Sequence, residues 1–353
     1  MARILSAVPL VAYMAVVGSV AASTRHQQPA FSSKSDLVRV YATVRDKSGH
    51  LVTDLQQSDF EVRERGARVP LEVFSADVQP IRVAVMVDAS GSFFERATFQ
   101  HLRDGLSAFV GQLGPEDRAT IGWFSGEKIF VEHPLTSDAA ELRRQLDTEL
   151  QIERVQPELA ASIASKDSVA FAFQYRGRPL WNAIGTAAEK LKAEPGRKVV
   201  LVLANGDNTK LLPGHLRLSA LKSLFASDEL MVYGVHGFEP RLADERPDQI
   251  AGSYEERQTT LQNVTELTGG GYLIAPFDRR KRTLGMTGEK ANLNPLSLAF
   301  RSQLAGIIEE LRHQYTLGFV PTKRDGRVGG IEVRVTRPNT QVWARKTYMA
   351  PAE

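Results

Sequence analysis

One stretch near residue 85 constrains the fold of this chain more than any other. It begins with an uninterrupted apolar run, 83–87, which is typical of a strand buried on both faces of a parallel sheet. The run ends at Asp88-Ala89-Ser90-Gly91-Ser92, and apolar residues then recur at helical spacing from Leu102 to Leu113. This order predicts a strand, a polar loop and a helix, with the loop at the carboxyl end of a strand, where open α/β sheets bind ligands.

The polar loop carries the donor set of a hard cation. Asp88, Ser90 and Ser92 offer one carboxylate and two hydroxyl groups within a short stretch. Magnesium, manganese and calcium prefer such oxygen ligands, whereas zinc and copper favour nitrogen and sulfur. The alternative interpretation is a polar turn that caps the following helix through Ser90 or Ser92.

In this setting the loop resembles a known site. Asp88-x-Ser90-x-Ser92 between a buried strand and a helix is similar to the metal-ion-dependent adhesion site of von Willebrand factor A domains. In that family a second loop supplies a threonine and a third loop supplies an aspartate. The matching stretches here are 177–183, at a predicted helix start, and 204–208, after a second buried strand.

Two positions depart from the family's pattern, because Arg178 stands at the threonine position and Asn205 at the aspartate position. An inward Arg178 would repel a cation by about 4 kcal/mol at an effective dielectric of 20. One hypothesis is therefore a pseudo-site, in which the guanidinium takes the metal position and bridges Asp88. In the rival hypothesis Arg178 points to solvent, and Asp207 or the side-chain carbonyl of Asn205 joins the site. The site then binds Mg²⁺ (or Mn²⁺ or Ca²⁺). The alternative interpretation of Asp207 is that it only forms a turn. The predicted metal ligands are Asp88, Ser90, Ser92, Asn205 and Asp207.

Both ends of the chain predict a second unit. Short strands separated by turns occupy residues 36–79 and 315–353. Each segment alone is thin for an independent sheet, so we expect the two to pair into one small β-sandwich-like module with the α/β domain inserted between them. Both segments also resemble the flanking blocks of the VWFA-related family, whose bacterial members are exported.

Between these flanks, strands alternate with helices, which predicts an α/β fold with a doubly wound, mostly parallel sheet over residues 80–314. The predicted helices span 138–150, 179–191, 216–225, 259–267 and 295–313. Residues 151–176, 238–257 and 276–294 look like insertions. The last contains the basic run 279–282, which is a solvated loop or a contact for an acidic surface or phosphate.

The amino terminus resembles a secretory signal. A basic residue precedes the apolar segment 4–20, and small residues follow. We expect cleavage after Ala22 and a linker over 23–35; an uncleaved membrane anchor is the alternative. The chain contains no cysteine, which excludes disulfides and cysteine-zinc sites and favours a secreted or periplasmic bacterial product.

Signatures of common enzymes are missing from the sequence. The seven histidines are scattered with none paired at ligand spacing, Glu309 and Glu310 are interpreted as solvated, and a net charge of +3 is too weak to indicate nucleic acid. We therefore expect a non-enzymatic interaction or adhesion-type module that binds a protein or surface polymer. If a metal binds, an acidic side chain of the partner would complete its coordination, as the family resemblance implies. The alternatives are a metal-assisted hydrolase that uses Asp88 and a structural scaffold of an envelope assembly.

Overall fold

The computed structural model describes residues 37–89, 96–126, 128–155, 179–204, 206, 208, 216–236, 260–275 and 295–352. Residues Asp36–Glu353 form one compact unit. The strands are β1 (Val38–Asp46), β2 (Phe60–Glu64), β3 (Ala67–Val69), β4 (Val73–Ser75), β5 (Ile81–Asp88), β6 (Arg118–Ser125), β7 (Lys128–Phe130), β8 (Arg197–Leu203), β9 (Met231–His236), β10 (Tyr272–Ile274), β11 (Tyr315–Phe319), β12 (Val328–Val335), β13 (Thr340–Ala344) and β14 (Thr347–Met349). The helices are α1 (Arg96–Val110), α2 (Ala139–Glu149), α3 (Ile152–Val155), α4 (Leu180–Leu191), α5 (Leu218–Asp228), α6 (260–268) and α7 (Pro295–Arg312).

The central sheet has six strands in the order β10-β9-β8-β5-β6-β7. All neighbours in it are parallel except β7, which runs antiparallel to β6 at one edge. From β5 the chain first winds outward through β6 and β7, then returns to β8 and winds the other way. The strand order therefore reverses between β5 and β8, which confirms the predicted doubly wound, mostly parallel sheet.

Helices cover both faces of this sheet. One apolar cluster joins the odd-numbered positions of β5, such as Val85, to α1, α2 and α7. A second cluster joins the even-numbered positions, such as Met86, to α4 and α5 and to Val264 of α6. Because both faces of β5 are covered, each of its residues from Val83 to Val87 is fully buried, and this is why its sequence shows no alternation.

Helices α1 and α7 pack tightly against each other at Gly105. A methyl group at this position would clash with the ring of Phe300, which is fully buried. We therefore expect Gly105→Ala to lower the free energy of unfolding by about 1–3 kcal/mol. The matched control is Gly306→Ala in α7, where an added methyl group meets nothing within 4 Å and should raise stability by up to about 1 kcal/mol. Urea unfolding of both variants, followed by circular dichroism, checks this, and equal effects would contradict it.

Strands from both ends of the chain form a β-sandwich. One sheet has the order β13-β1-β11-β4 and the other β14-β12-β2-β3. The amino-terminal β1 pairs with the carboxyl-terminal β11 and β13, and β2 pairs with β12. The inward side chains of the two sheets share one apolar cluster, with Val40, Phe60 and Leu317 among its members. The flanking segments thus pair around the α/β unit as predicted, whereas the domain bounds at residues 35, 79 and 314 stay predictions.

Two buried arginines connect the β-sandwich to the carboxyl ends of helices in the α/β unit. Arg197, the first residue of β8, is fully buried, donates to the backbone oxygen of Leu311 at the end of α7, and stacks on the ring of Tyr41 at 4.6 Å. Arg345, just after β13, donates to the backbone oxygens of Phe225 (3.0 Å) and Ala226 (2.7 Å) near the end of α5. Cationic side chains satisfy the free carbonyl groups at the carboxyl ends of helices. Because Arg197 is the first residue of β8 and α5 ends just before β9, both contacts lie at the edge where the central strands begin.

The carboxylate of Glu310 on α7 joins the two units through a polar cluster. It accepts hydrogen bonds from Arg45 (2.7 Å), Thr43 (3.1 Å) and Tyr233 (2.9 Å). Burial, followed by the charge of Glu310, raises the pKa of Tyr233 well above its ordinary value. The interpretation of Glu310 as a solvated residue was therefore wrong, because α7 turns this residue toward β1 and β9, whereas the adjacent Glu309 is exposed.

Candidate functional site

Asp88 occupies the switch point of the central sheet. It is the last residue of β5 and is fully buried. The next backbone N–H, that of Ala89, donates to the oxygen of Phe124 on β6 at 2.8 Å, so the strand end is fixed. In doubly wound sheets the crevice beside the carboxyl ends of the strands, at the point where the order reverses, is where ligands bind. The structure thus puts the predicted Asp88 at the position expected of a ligand-binding side chain.

A second polar side chain lies level with Asp88 two strands away. The pairing of β5 with β8 runs up to Val87 and Leu203. The next residues along, Asp88 and Ala204, are therefore neighbours. The pairing of β8 with β9 runs up to Leu203 and Val235, so the next residues, Ala204 and His236, are neighbours as well. We call Asp88, Ala204 and His236 the Asp88 row.

All three side chains of the Asp88 row lie on one face of the sheet. Successive residues of a strand point to opposite faces. Met86 and Val202, two residues before Asp88 and Ala204, belong to the apolar cluster shared with α4 and α5, and so does Ala204 itself. Val235, directly before His236, belongs to the cluster on the other face, so His236 points to the α4 side as well.

The loops that follow β8 and precede α4 are tied together near this row. The side-chain oxygen of Asn208 accepts a hydrogen bond from the backbone N–H of Trp181 in the first turn of α4, at 3.1 Å. The side-chain oxygen of Asn182 in turn accepts from the backbone N–H of Leu216, also at 3.1 Å. The second and third loops of the predicted site therefore meet at the start of α4, whose first residues pack on the Asp88 face of the sheet.

The other predicted site residues are Ser90, Ser92, Arg178, Asn205 and Asp207, and all of them lie outside the described residues. Their roles, and the choice between a bound metal and the Arg178 pseudo-site, stay predictions. Within the described part of the chain, no group of three or more histidine, cysteine, aspartate or glutamate side chains could hold a metal.

The Asp88 row contains two side chains of types that can bind divalent cations. Asp88 supplies a carboxylate oxygen and His236 an imidazole nitrogen, and both are fully or almost fully buried. Oxygen and imidazole donors together suit manganese, cobalt, nickel and zinc. Ala204, which lies between them, is fully buried in the apolar cluster shared with α4 and α5.

Sequence reasoning did not single out His236, which the structure places level with Asp88. The signal was its position directly after the apolar run 230–235, which repeats the arrangement of Asp88 after 83–87. Spacing along the chain could not reveal the relation, because 148 residues separate two side chains that only the register of β8 brings to one level.

The comparisons with known proteins concern the fold. No protein-family model matches the sequence, and neither does any curated protein. Among solved structures, a von Willebrand factor type A protein from Catenulispora acidiphila is 10% identical, with a TM-score of 0.41, 88% of this chain covered and 74% of the other. An aerotolerance-related membrane protein from Bacteroides fragilis is 16% identical, with a TM-score of 0.41, and the match covers 65% of this chain and 98% of the other. BatB from Bacteroides thetaiotaomicron is 16% identical, with a TM-score of 0.37 and shares of 64% and 99%.

At these identities the likeness is one of fold, and the fold itself is established by strand order and pairing within this chain. The inserted unit is a doubly wound, mostly parallel α/β domain similar to solved von Willebrand factor A domains.

Proposed function

We propose that the chain is an exported interaction module that binds a protein or surface-polymer partner at the carboxyl edge of its central sheet, around Asp88. The observation that carries this proposal is the buried carboxylate of Asp88 at the switch point. In doubly wound sheets, ligands bind at this point, beside the carboxyl ends of the strands. We infer export from the signal-like amino terminus. Among the described helices, none combines the length and apolar character needed to cross a bilayer.

The attachment of the β-sandwich supports this assignment of the edge. Arg197 and Arg345 hold the sandwich side at the edge where the central strands begin. Asp88 lies at the edge where β5 ends, one strand length away. A partner at Asp88 therefore approaches from the side opposite to the sandwich, which is suited to act as a stalk or as a separate contact.

We propose further that a divalent cation bound at Asp88 takes part in partner binding, with an acidic side chain of the partner as its remaining ligand. A cation would supply an electrostatic bridge between two carboxylates that otherwise repel each other. On the protein's side, Asp88 would hold the cation and the first turn of α4 would confine it. Arg178 points away from the site in this proposal.

Site-directed photocrosslinking tests where the partner binds. A photoreactive amino acid at Lys128, which is exposed and pairs with Ser125 at the carboxyl end of β6, should capture a protein or polymer in envelope preparations of the source organism. The same amino acid at Arg68, exposed on the sandwich, serves as the matched control and should capture none of it. Asp88→Asn, which preserves side-chain shape, should reduce the crosslink from position 128 at least about tenfold.

The outcome that contradicts the proposal is capture that is equally strong from both positions, or capture from position 128 that Asp88→Asn leaves unchanged. Partner binding would then use the sandwich, or a surface that does not depend on Asp88.

His236 favours a second candidate function, a metal-assisted hydrolase. Such an enzyme needs a base near the metal-bound water, and the Asp88 row brings an imidazole to the same level as the carboxylate. Hydrolysis of p-nitrophenyl acetate or phosphate that is lost in both Asp88→Asn and His236→Gln would support it. Equal rates in wild type and both variants would exclude these two residues from any such activity.

A further inference from the structure

We propose that a groove across the outer face of α1 is a second interaction surface, which binds an acidic peptide segment of a partner protein through Arg143 of α2 and Arg301 of α7. The groove lies on the side of the central sheet that α1, α2 and α7 cover. Asp88 points to the opposite side, which α4 and α5 cover. The groove is therefore separate from the proposed site at Asp88 and goes beyond the proposed function.

Helix α1 forms the floor of this groove. Its apolar residues Leu102, Leu106 and Phe109 are fully buried in the core. The residues that line the groove recur at spacings of three and four on the opposite side of the helix. They are Asp104, Ser107, Ala108 and Gly111. Three of the four have small side chains, so the floor lies low between the neighbouring helices, and the groove has a volume of about 480 Å³.

Two guanidinium groups reach the groove from two different helices. A methyl group added at Gly111 would lie 3.5 Å from Nη2 of Arg143, so the side chain of Arg143 extends from α2 to the carboxyl end of α1. Arg301, which is half-buried, lines the groove from α7. It directly follows Phe300, which packs on Gly105 of α1. The two positive charges are thus fixed to helices that already pack against the floor.

Both charges are open to a ligand. Arg143 and Arg301 form no ion pair or hydrogen bond with any residue in the described part of the chain, whereas the adjacent Arg144 pairs with Glu141. The lining also contains the carboxylate of Asp104, so two guanidinium groups and one carboxylate leave an excess of one positive charge. A groove with excess positive charge attracts anionic groups.

The chemistry of the lining favours carboxylate groups over phosphate or sugar. A guanidinium binds a carboxylate through two parallel hydrogen bonds. Phosphate sites commonly use free backbone N–H groups at helix amino termini or in nests. The floor here is the second half of a helix, and its last N–H, that of Gly111, already donates to the oxygen of Ser107 at 3.0 Å. Among the described residues that line the groove, none is aromatic, so no ring is present for a sugar to stack on.

The size and neutral groups of the groove suit a short peptide. Its volume is within the range of about 300–1,000 Å³ that is typical of ligand sites. The side chains of Ser107 and Gln112 add a hydroxyl and an amide, which can bond to the N–H and C=O groups of a peptide backbone. The expected occupant is therefore a short segment with two acidic side chains, one for each guanidinium group.

Fluorescence anisotropy with a defined probe tests the proposal on the full mature chain. The probe is a short labelled peptide that alternates glutamate with serine, and the matched peptide has glutamine in place of each glutamate. EDTA in the buffer removes any cation at Asp88, so binding through that site does not contribute. We expect the glutamate peptide to bind at least about tenfold more tightly than the glutamine peptide, and added salt to weaken its binding.

Substitutions at the surface locate the binding. Arg143→Ala and Arg301→Ala should each weaken binding of the glutamate peptide at least about tenfold. The matched control is Arg144→Ala, which removes the next side chain of α2, 70% exposed, and should bind the peptide as wild type does. A measurement on the wild type keeps the test decisive if a variant fails to fold. A photoreactive group on the glutamate peptide should form crosslinks to α1, as mapped by mass spectrometry.

Four results would overturn the inference. They are no binding of the glutamate peptide, equal binding of both peptides, equal loss of binding in Arg143→Ala and Arg144→Ala, and crosslinks confined to the β-sandwich. Tighter binding of phosphatidylglycerol vesicles than of the peptide, lost in both Arg143→Ala and Arg301→Ala, would also reject a peptide partner and would assign the groove to a membrane surface.

Discussion

A chain that ends at residue 314 is expected to lose the folded structure of its amino-terminal strands, although residues 37–79 are all present. β1 takes its partners from β11 and β13, and β2 takes one from β12. Without them, β1 has no partner strand among the described residues, and only the short hairpin of β2 and β3 remains. An isolated hairpin is marginally stable in water, so the sandwich core that includes Val40 and Phe60 cannot form.

Amide hydrogen exchange measures this effect directly. In the full chain the amides of β1 should be among the slowly exchanging ones, and in the truncated chain they should exchange at the rates of an unfolded peptide. A chain that lacks only residues 351–353, after the last strand, is the matched control and should keep their protection. Slow exchange of β1 in the truncated chain would contradict the account of a sandwich built from both ends of the sequence.

Replacement of Arg197 by methionine is expected to lower the free energy of unfolding by about 3–5 kcal/mol. The guanidinium is fully buried and donates to the backbone oxygens of Leu311 and Gln314, the second at 3.4 Å. Burial lowers the pKa of this guanidinium from its usual value. The two backbone oxygens that accept its hydrogen bonds lose this donor when Arg197 is replaced. Methionine fills the space without a donor, so two buried acceptors at the end of α7 lose their partner.

The neighbouring residue provides the control for this variant. Lys198 follows in the same strand, is partly exposed and donates to the backbone oxygen of Lys192 at 3.0 Å. Lys198→Met should cost less than about 1 kcal/mol, as is usual for surface substitutions. Urea unfolding followed by circular dichroism compares the two. Equal and small costs would mean that the sandwich and the α/β unit do not depend on the contact of Arg197 with α7.

Local sequence patterns predicted most of the fold. The apolar run 83–87 and the helical spacing after it marked β5 and α1, and the predicted helix 179–191 lies within one residue of the observed α4. The predicted helix 216–225 was less accurate, since α5 runs to Asp228. Here the chain ends the helix with Glu229 in a left-handed conformation, for which the sequence offers no glycine as a signal.

Features that depend on distant contacts were beyond prediction from the sequence. Glu310 stands beside another glutamate on a helix, a pattern typical of a solvated face, yet Arg45 and Tyr233 reach it from β1 and β9. The buried Arg197 likewise resembles a surface residue at the start of a strand. In both cases the partner groups are more than 70 residues away along the chain, so local periodicity contains no information about them.

One part of the candidate site could likewise be predicted from local sequence, and another part could not. Asp88 could be predicted because one continuous stretch carries strand, loop and helix. His236 could not, because its relation to Asp88 depends on the order β9-β8-β5 and on a register that places Ala204 between them. The three-dimensional structure thus shows a relation between these two residues that local sequence patterns do not contain.

Anomalous diffraction from crystals of the mature chain grown with Mn²⁺ distinguishes a bound cation at Asp88 from the Arg178 pseudo-site. We expect one strong peak at the carboxyl end of β5, within about 2.3 Å of a carboxylate oxygen of Asp88. No peak at that edge, with the guanidinium of Arg178 bonded to Asp88 instead, would contradict cation-dependent partner binding and would establish the pseudo-site.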